Sequence, residues 1–328
     1  MGATIIPDTY IPPFYLANGH FQTIVPHLVL SKRITYRRQR ITLADSDFID
    51  LDWLDGGNNL LVLCHGLEGD SQSAYMTEMA TLAHSKGFTV LAWNYRGCSD
   101  TDNRSERMYH SGATSDLEEV LLAIKDLSPW QGIYLVGFSL GGNMLMKFMG
   151  ELETGKRSPQ LKLSSIKGVA ALSAAFDVMG TSTVLARPEN FIYQNRFLIT
   201  LKQKLRRKLK NNLLSLPLKT INQISSIWEF DELYTAPTNG FGSAAKYYQY
   251  ASALPYLPLL TVPCLIVSAY NDPILSEACF PSNESLPANV SVCYTAEGGH
   301  VSYWDRNRKF WALHQILGFF LQQIEPSE

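Results

Sequence analysis

Ser139 stands in Gly137-Phe138-Ser139-Leu140-Gly141-Gly142, a G-x-S-x-G pattern that follows an apolar run and precedes a helix-like one. In a strand–turn–helix setting this spacing forms a nucleophile elbow: the turn is sharp, the serine is held in strained geometry, and small flanking residues let the helix cross the strand. A hydroxyl raised there is a weak nucleophile until a base takes its proton and a third group orients that base. After Ser139 the histidines are His300 and His314. His300 lies in Glu297-Gly298-Gly299-His300, a flexible loop after an apolar run, whereas His314 sits among Trp311, Leu313 and Ile316 in a closing amphipathic helix. His300 is therefore the expected base. Asp272, in Tyr270-Asn271-Asp272-Pro273 just after another apolar run, is the expected orienting acid. Asp177 is its rival, with helix capping as the alternative role.

An acyl-transfer intermediate also needs N–H donors aimed at its oxyanion. One is the backbone N–H of Leu140, next to the nucleophile. The second is expected from His65-Gly66-Leu67-Glu68-Gly69, with the N–H of Leu67 as the donor and His65 bracing the loop. Arg96, in Asn94-Tyr95-Arg96-Gly97-Cys98-Ser99, has two readings: an anion-binding group, or, preferred, a structural salt bridge to a loop carboxylate.

These residues must be carried by a particular kind of sheet. Residues 60–64, 89–94, 133–136 and 166–172 are short apolar runs largely without alternation, as strands buried on both faces require. Helical patterns at 74–85, 115–127 and 143–151 separate them, strands recur at 262–268 and 290–295, and an amphipathic helix closes the chain at 309–322. The alternation implies an α/β fold: a mostly parallel sheet with helices on both faces and right-handed crossovers. Residues 34–43 and 48–54 alternate polar and apolar around Asp45-Ser46-Asp47 and read as an antiparallel hairpin at one edge.

Residues 1–30, rich in proline and aromatics, read as an extended arm wrapped on the body, and 31–175 with 261–328 as the core. Residues 176–260 hold helical stretches without a clear strand, too long for an ordinary connection, and are expected to form an inserted helical cap. Within it Lys202, Lys204, Arg206, Arg207, Lys208 and Lys210 interleave with Leu201, Leu205 and Leu209. That amphipathic run is either a solvated face or a patch for peripheral contact with anionic lipid.

Composition narrows the rest. The 328 residues, 46% hydrophobic with a net charge of −2, suit a sizeable core and give no electrostatic reason for a nucleic-acid partner. No signal peptide is visible, and no apolar run reaches the ~18 residues of a membrane-spanning helix. The five cysteines are scattered, and Cys64, Cys264 and Cys293 fall in strand-like runs, so buried free thiols and a cytoplasmic location are expected.

The chain resembles the α/β-hydrolase superfamily, and within it the YheT-like branch, also called the AB hydrolase-4 family. Asn18-Gly19-His20-Phe21-Gln22-Thr23, His65-Gly66-Leu67-Glu68-Gly69, Arg96-Gly97-Cys98-Ser99 and Gly137 to Asn143 match its motifs, as do Phe230-Asp231, Gly240-Phe241, Tyr247-Tyr248, Asn271-Asp272-Pro273 and Gly298-Gly299-His300. Asn271 stands where the branch usually has Asp, and Val301-Ser302-Tyr303 departs from its Val-Gly-Phe. The resemblance implies an eight-stranded-type sheet with a helical cap and hydrolysis of carboxylic esters, lipid-like ones for some members. His20, in the first motif, is expected to anchor the arm. Taken with the residues, the expectation is a serine esterase acting on a small-molecule or lipid ester without metal or organic cofactor. An acyltransferase using the same acyl-enzyme and a catalytically silent binding protein are the alternatives.

Overall fold

The computed structural model describes residues 2–29, 33–307 and 309–324; the first and last residues of the arm and the chain's final four lie outside that set. Its strands are β1 (Thr4–Ile5), β2 (Arg37–Thr42), β3 (Phe48–Leu54), β4 (Asn59–Cys64), β5 (Phe88–Asn94), β6 (Gly132–Phe138), β7 (Ile166–Leu172), β8 (Cys264–Ala269) and β9 (Val290–Thr295). They form one sheet in the order β1-β9-β8-β7-β6-β4-β5-β3-β2. Only the β2–β3 hairpin and its contact with β5 are antiparallel, so the hairpin forms an edge as its alternating pattern foretold.

The unpatterned apolar runs are explained by two cores. Leu60, Val62 and Cys64 of β4 enter one, and Leu61 and Leu63 enter the other, so each face of the strand is covered. α1 (Gly19–Val29) belongs to the arm. α2 (Ala74–His84) packs with the closing helix on one side of the sheet, while α3 (Thr114–Ile124) and α4 (Leu140–Glu153) pack on the other. Between β7 and β8 the chain runs through α5 (Val178–Leu185), α6 (Phe191–Lys210), α7 (Leu218–Gln223), α8 (Ile227–Phe230), a π-helical turn (Asp231–Thr235), α9 (Ala236–Thr238) and α10 (Ala244–Ala251). The closing helix is α11 (Trp311–Leu321).

Three expectations change. The sheet has nine strands, because the arm contributes β1, whose Thr4 and Ile5 pair in parallel with Ser291 and Val292. The arm is not simply extended: α1 starts where the Asn18 carboxamide oxygen accepts the His20 N–H at 2.9 Å, and Pro26 inside the helix disguised it. The third change concerns the basic run, which forms the second half of α6 and turns Lys204 and Lys208 inward. Lys204 donates to Glu68 (2.7 Å), Lys208 to Asn103 (2.7 Å) and the Ser105 carbonyl, and Arg207 grips Asp102 with both carboxylate oxygens. Lys202 reaches the Asn222 and Ile224 carbonyls, and Arg206 the Asn222 side chain. Leu201 and Leu205 are buried beneath. Arg206, Arg207 and Lys210 remain exposed, while Lys204, Arg207 and Lys208 tie the helix to loops of the core and Lys202 and Arg206 tie it to α7.

All five cysteines are buried free thiols. Arg96 is buried and bound to Asp116 (2.7 Å), Asp45 (2.7 Å) and Asp47 (3.2 Å), the structural ion pair expected of it. No described helix is long and apolar enough to cross a membrane.

Candidate active site

Parallel strands end together, and their carboxyl ends form the site. Cys64 of β4 pairs with Gly137 of β6, so the loop that begins at His65 leaves the sheet beside Ser139. β4 is flanked by β5 on one side and β6 on the other, the switch point where open α/β sheets place their crevice.

Ser139 is the residue between β6 and α4, with φ 52° and ψ −117°. A non-glycine residue there is strained, and the strain persists only because the surroundings impose it. The two glycines of the motif show why: a Cβ on Gly137 would fall 2.5 Å from the Gly141 carbonyl oxygen, and one on Gly141 2.3 Å from that of Cys64. Asn143, one turn into α4, donates to the Ser111 and Ala251 carbonyls and accepts the Ala253 N–H, tying the elbow helix to the segment after α10.

The structure brings His300 and Asp272 to this serine. His300 Nε2 lies 2.8 Å from Ser139 Oγ, and Nδ1 lies 2.7 Å from Asp272 Oδ2. Because Asp272 accepts, Nδ1 carries the proton and Nε2 is free to receive one. The other Asp272 oxygen accepts the Ile274 (2.9 Å) and Leu275 (3.4 Å) N–H groups, which fixes the carboxylate in the turn after β8. Asp177 is elsewhere engaged: it caps α5 by accepting the Gly180 N–H at 3.0 Å and takes a hydrogen bond from Ser276. His314 is exposed on α11.

Three side chains hold the histidine loop. Asn271 Oδ1 accepts the Gly299 N–H (3.0 Å), Thr23 Oγ1 the His300 N–H (2.9 Å), and Ser173 Oγ the Val301 N–H (3.1 Å). Reading for chemistry alone missed all three; Thr23 closes the Asn18-to-Thr23 motif, and Asn271 is the position that departs from the usual Asp. Neutral Asn271 also donates weakly to the Ala17 carbonyl (3.4 Å), so it bridges the loop to the arm. His20 stacks on Tyr193 of α6 with Nδ1 3.1 Å from its hydroxyl, anchoring the arm.

The loop at 65–69 is equally constrained. His65 Nδ1 donates to the Gly66 carbonyl (2.7 Å), and its Nε2 accepts the Tyr95 N–H (3.3 Å). Burial pushes its pKa down to about 3, so it stays neutral and braces the loop. Tyr75 accepts the Gly66 N–H (3.0 Å) and Tyr109 the Glu68 N–H (2.7 Å). The N–H groups of Leu67 and Leu140 have no hydrogen-bond partner among the described residues, and both residues line the cavity at Ser139.

Two cavities meet there. One, with an empty volume of about 780 Å³, lies under the helices between β7 and β8, its walls formed by apolar side chains such as Val178, Leu185, Phe197, Leu201 and Phe230. Its polar patch is Asp231, whose carboxyl accepts from Tyr248 (2.7 Å) and is pushed up to about 6 by burial. The second, of about 1410 Å³, opens between α1, the 65–69 loop and α6, and exposes Arg196, His27 and the start of α2. Burial, and then the neighbouring Arg196, lower His27 to about 4 and keep it neutral. Among the described residues no cluster of His, Cys, Asp and Glu could hold a metal ion.

Comparison with known proteins agrees with this architecture. A family model described as alpha/beta hydrolase fold matches residues 59–307, and the chain belongs to the α/β-hydrolase family, in its YheT-like branch. YheT of Escherichia coli (strain K12), provisionally named an esterase, is 33% identical over 302 residues, 90% of this chain and 86% of its own. The human protein named Phospholipase ABHD3 is 26% identical across 98% of this chain and 80% of its own. Esterase Pf2001 of Pyrococcus furiosus superposes with a TM-score of 0.56 at 16% identity, covering 88% of this chain and 92% of its own, a likeness of fold.

Proposed function

We propose that the protein is a serine esterase that cleaves carboxylic esters through an acyl-enzyme on Ser139. The observation that carries this is the unbroken line from Ser139 Oγ through His300 to Asp272, at 2.8 and 2.7 Å, beside two unpaired backbone N–H groups. In this reading Ser139 Oγ attacks the ester carbonyl while His300 Nε2 takes its proton. Asp272 holds the imidazolium, and the Leu67 and Leu140 N–H groups receive the oxyanion. Collapse breaks the bond to the alcohol oxygen, which leaves with the proton from His300. Water then attacks the acyl carbonyl, gives its proton to His300, and the acid departs as Ser139 recovers that proton.

The apolar cavity fits the acyl part, of short to medium length or lipid-like, and residues 176–260 act as the cap that shapes it. The second cavity, whose lining includes Glu68, Gln72 and Arg196, fits the alcohol side. The acyltransferase alternative, passing the acyl group to another alcohol, has no separate feature in its favour. A cytoplasmic location belongs to the same proposal and draws on the five buried free thiols.

The test is Ser139→Ala. Labelling by a fluorophosphonate probe should disappear and kcat on p-nitrophenyl esters fall by about 10⁶-fold. Undiminished turnover would overturn the proposal. Running the wild type on a series of increasing acyl length maps the apolar cavity in the same experiment.

A further inference from the structure

The two halves of α6 present unlike surfaces. Its second half is bound to the core by its cations, but its first half carries exposed apolar residues: Phe191 and Ile192 are each 63% exposed and Ile199 56%. Ile192, Arg196 and Ile199 are spaced i, i+4, i+7 and share one helical face. Across the second cavity runs the matching stripe of α1, Phe21, Ile24 and Leu28, with Leu28 78% exposed. Ile24 and Leu28 of α1 and Ile192 and Arg196 of α6 line that same cavity. Just ahead of α1, Phe14 is 91% exposed. Large apolar side chains gathered around one opening are unusual on a water-facing surface and mark a contact site.

We infer that this rim, and not the basic run, is where the protein rests on a membrane surface, with the second cavity, which holds Arg196 and Glu68 among apolar side chains, opening into the layer of lipid head groups. Charge selects that occupant. Arg196 is exposed within the apolar face, and its guanidinium makes no ion pair or hydrogen bond among the described residues. An unpaired cation flanked by isoleucines suits the boundary between acyl chains and anionic phosphates, where apolar groups insert shallowly and each basic residue adds attraction. The placement also has a geometric logic: an ester drawn out of the surface enters beside Ser139 without crossing bulk water. The inference concerns binding, and it stands apart from the esterase reading.

Co-sedimentation of the full chain with vesicles tests it. Wild type should pellet with vesicles of mixed phosphatidylcholine and phosphatidylglycerol, and less with pure phosphatidylcholine. The double variant Phe21→Asp/Ile199→Asp should bind about tenfold or more weakly. Neither residue lines either of the two cavities at Ser139, so its hydrolysis of a dissolved short-chain p-nitrophenyl ester should equal wild type and show that it is folded. Arg196→Gln should lose about fivefold on the mixed vesicles and little on the neutral ones. Ser139→Ala should bind as wild type does, so a failure of the catalytic proposal leaves this result standing. Wild type remaining in the supernatant with both vesicles, or a double variant that pellets undiminished, would overturn the inference. Self-association in light scattering that the double variant abolishes, without vesicle binding, would also overturn it and assign the rim to a second copy of the chain.

Discussion

Asp272 and Asp231 are both buried carboxylates close to the same cavities, and their surroundings differ. Asp272, at the carboxyl end of β8, receives two backbone N–H groups and the ring N–H of His300. Asp231, in the π-helical turn over the apolar cavity, receives hydroxyls, with Tyr248 at 2.7 Å, and burial raises it to about 6. Strand ends supply fixed backbone donors that hold the Asp272 carboxyl in one orientation. In the π-helical turn burial disfavours the charge of Asp231 and raises its pKa. One carboxyl is tied to a single geometry; the other is a cavity-wall group whose charge depends on pH.

The comparison can be broken most easily at its sheet end. Asp272→Asn should lower kcat by about 10⁴-fold while leaving the fold intact, since the imidazole loses its orienting acceptor. Circular dichroism and p-nitrophenyl ester kinetics check it, and a loss under tenfold would mean that Asp272 is no more than a turn residue. Thr23→Val should come next, with a fall in kcat of about tenfold to a hundredfold at little change in KM, because the His300 N–H loses its acceptor and the ring its position.

At the cap end, the effect is on stability. Asp231 has a folded pKa raised above its ordinary value, so the folded state binds more protons than the unfolded one between about pH 4 and pH 6. Its contribution to stability is therefore full at low pH and lost as pH rises through about 6. Asp231→Asn should raise Tm relative to wild type by a few degrees at pH 8, with the difference shrinking toward pH 4. Thermal melts at both ends of that range decide it. The smallest effect is expected from Tyr248→Phe, about 1 kcal/mol of destabilisation at pH 8 from the lost hydrogen bond, measured by denaturant titration.

What was legible in the sequence follows from what periodicity and order record. The buried strands, the hairpin edge and the strand–turn–helix around Ser139 were readable, because burial on both faces and close backbone approach dictate residue type locally. β1 was not, since two residues carry no period, and Pro26 concealed α1. The inward turn of Lys204 and Lys208 was hidden for another reason. A repeating leucine shows which face of α6 is buried, but their partners Glu68 and Asn103 lie 136 and 105 residues away. The supports of the histidine loop escaped a search for reactive groups because Thr23, Asn271 and Ser173 do not themselves react.

The hydrogen bond from the His300 N–H to Thr23 joins residues 277 apart in the chain. The arm's partners are spread along the chain, Tyr193 for His20, Asn271 for Ala17 and the histidine loop for Thr23, so its docking is complete only once the loop after β9 exists. The histidine loop therefore gains its Thr23 support only when nearly the whole chain is present. Maturation of activity should thus lag behind compaction of the fold, and a shortened chain that keeps only residues 59–307 would retain the reactive residues while lacking the arm that steadies the histidine.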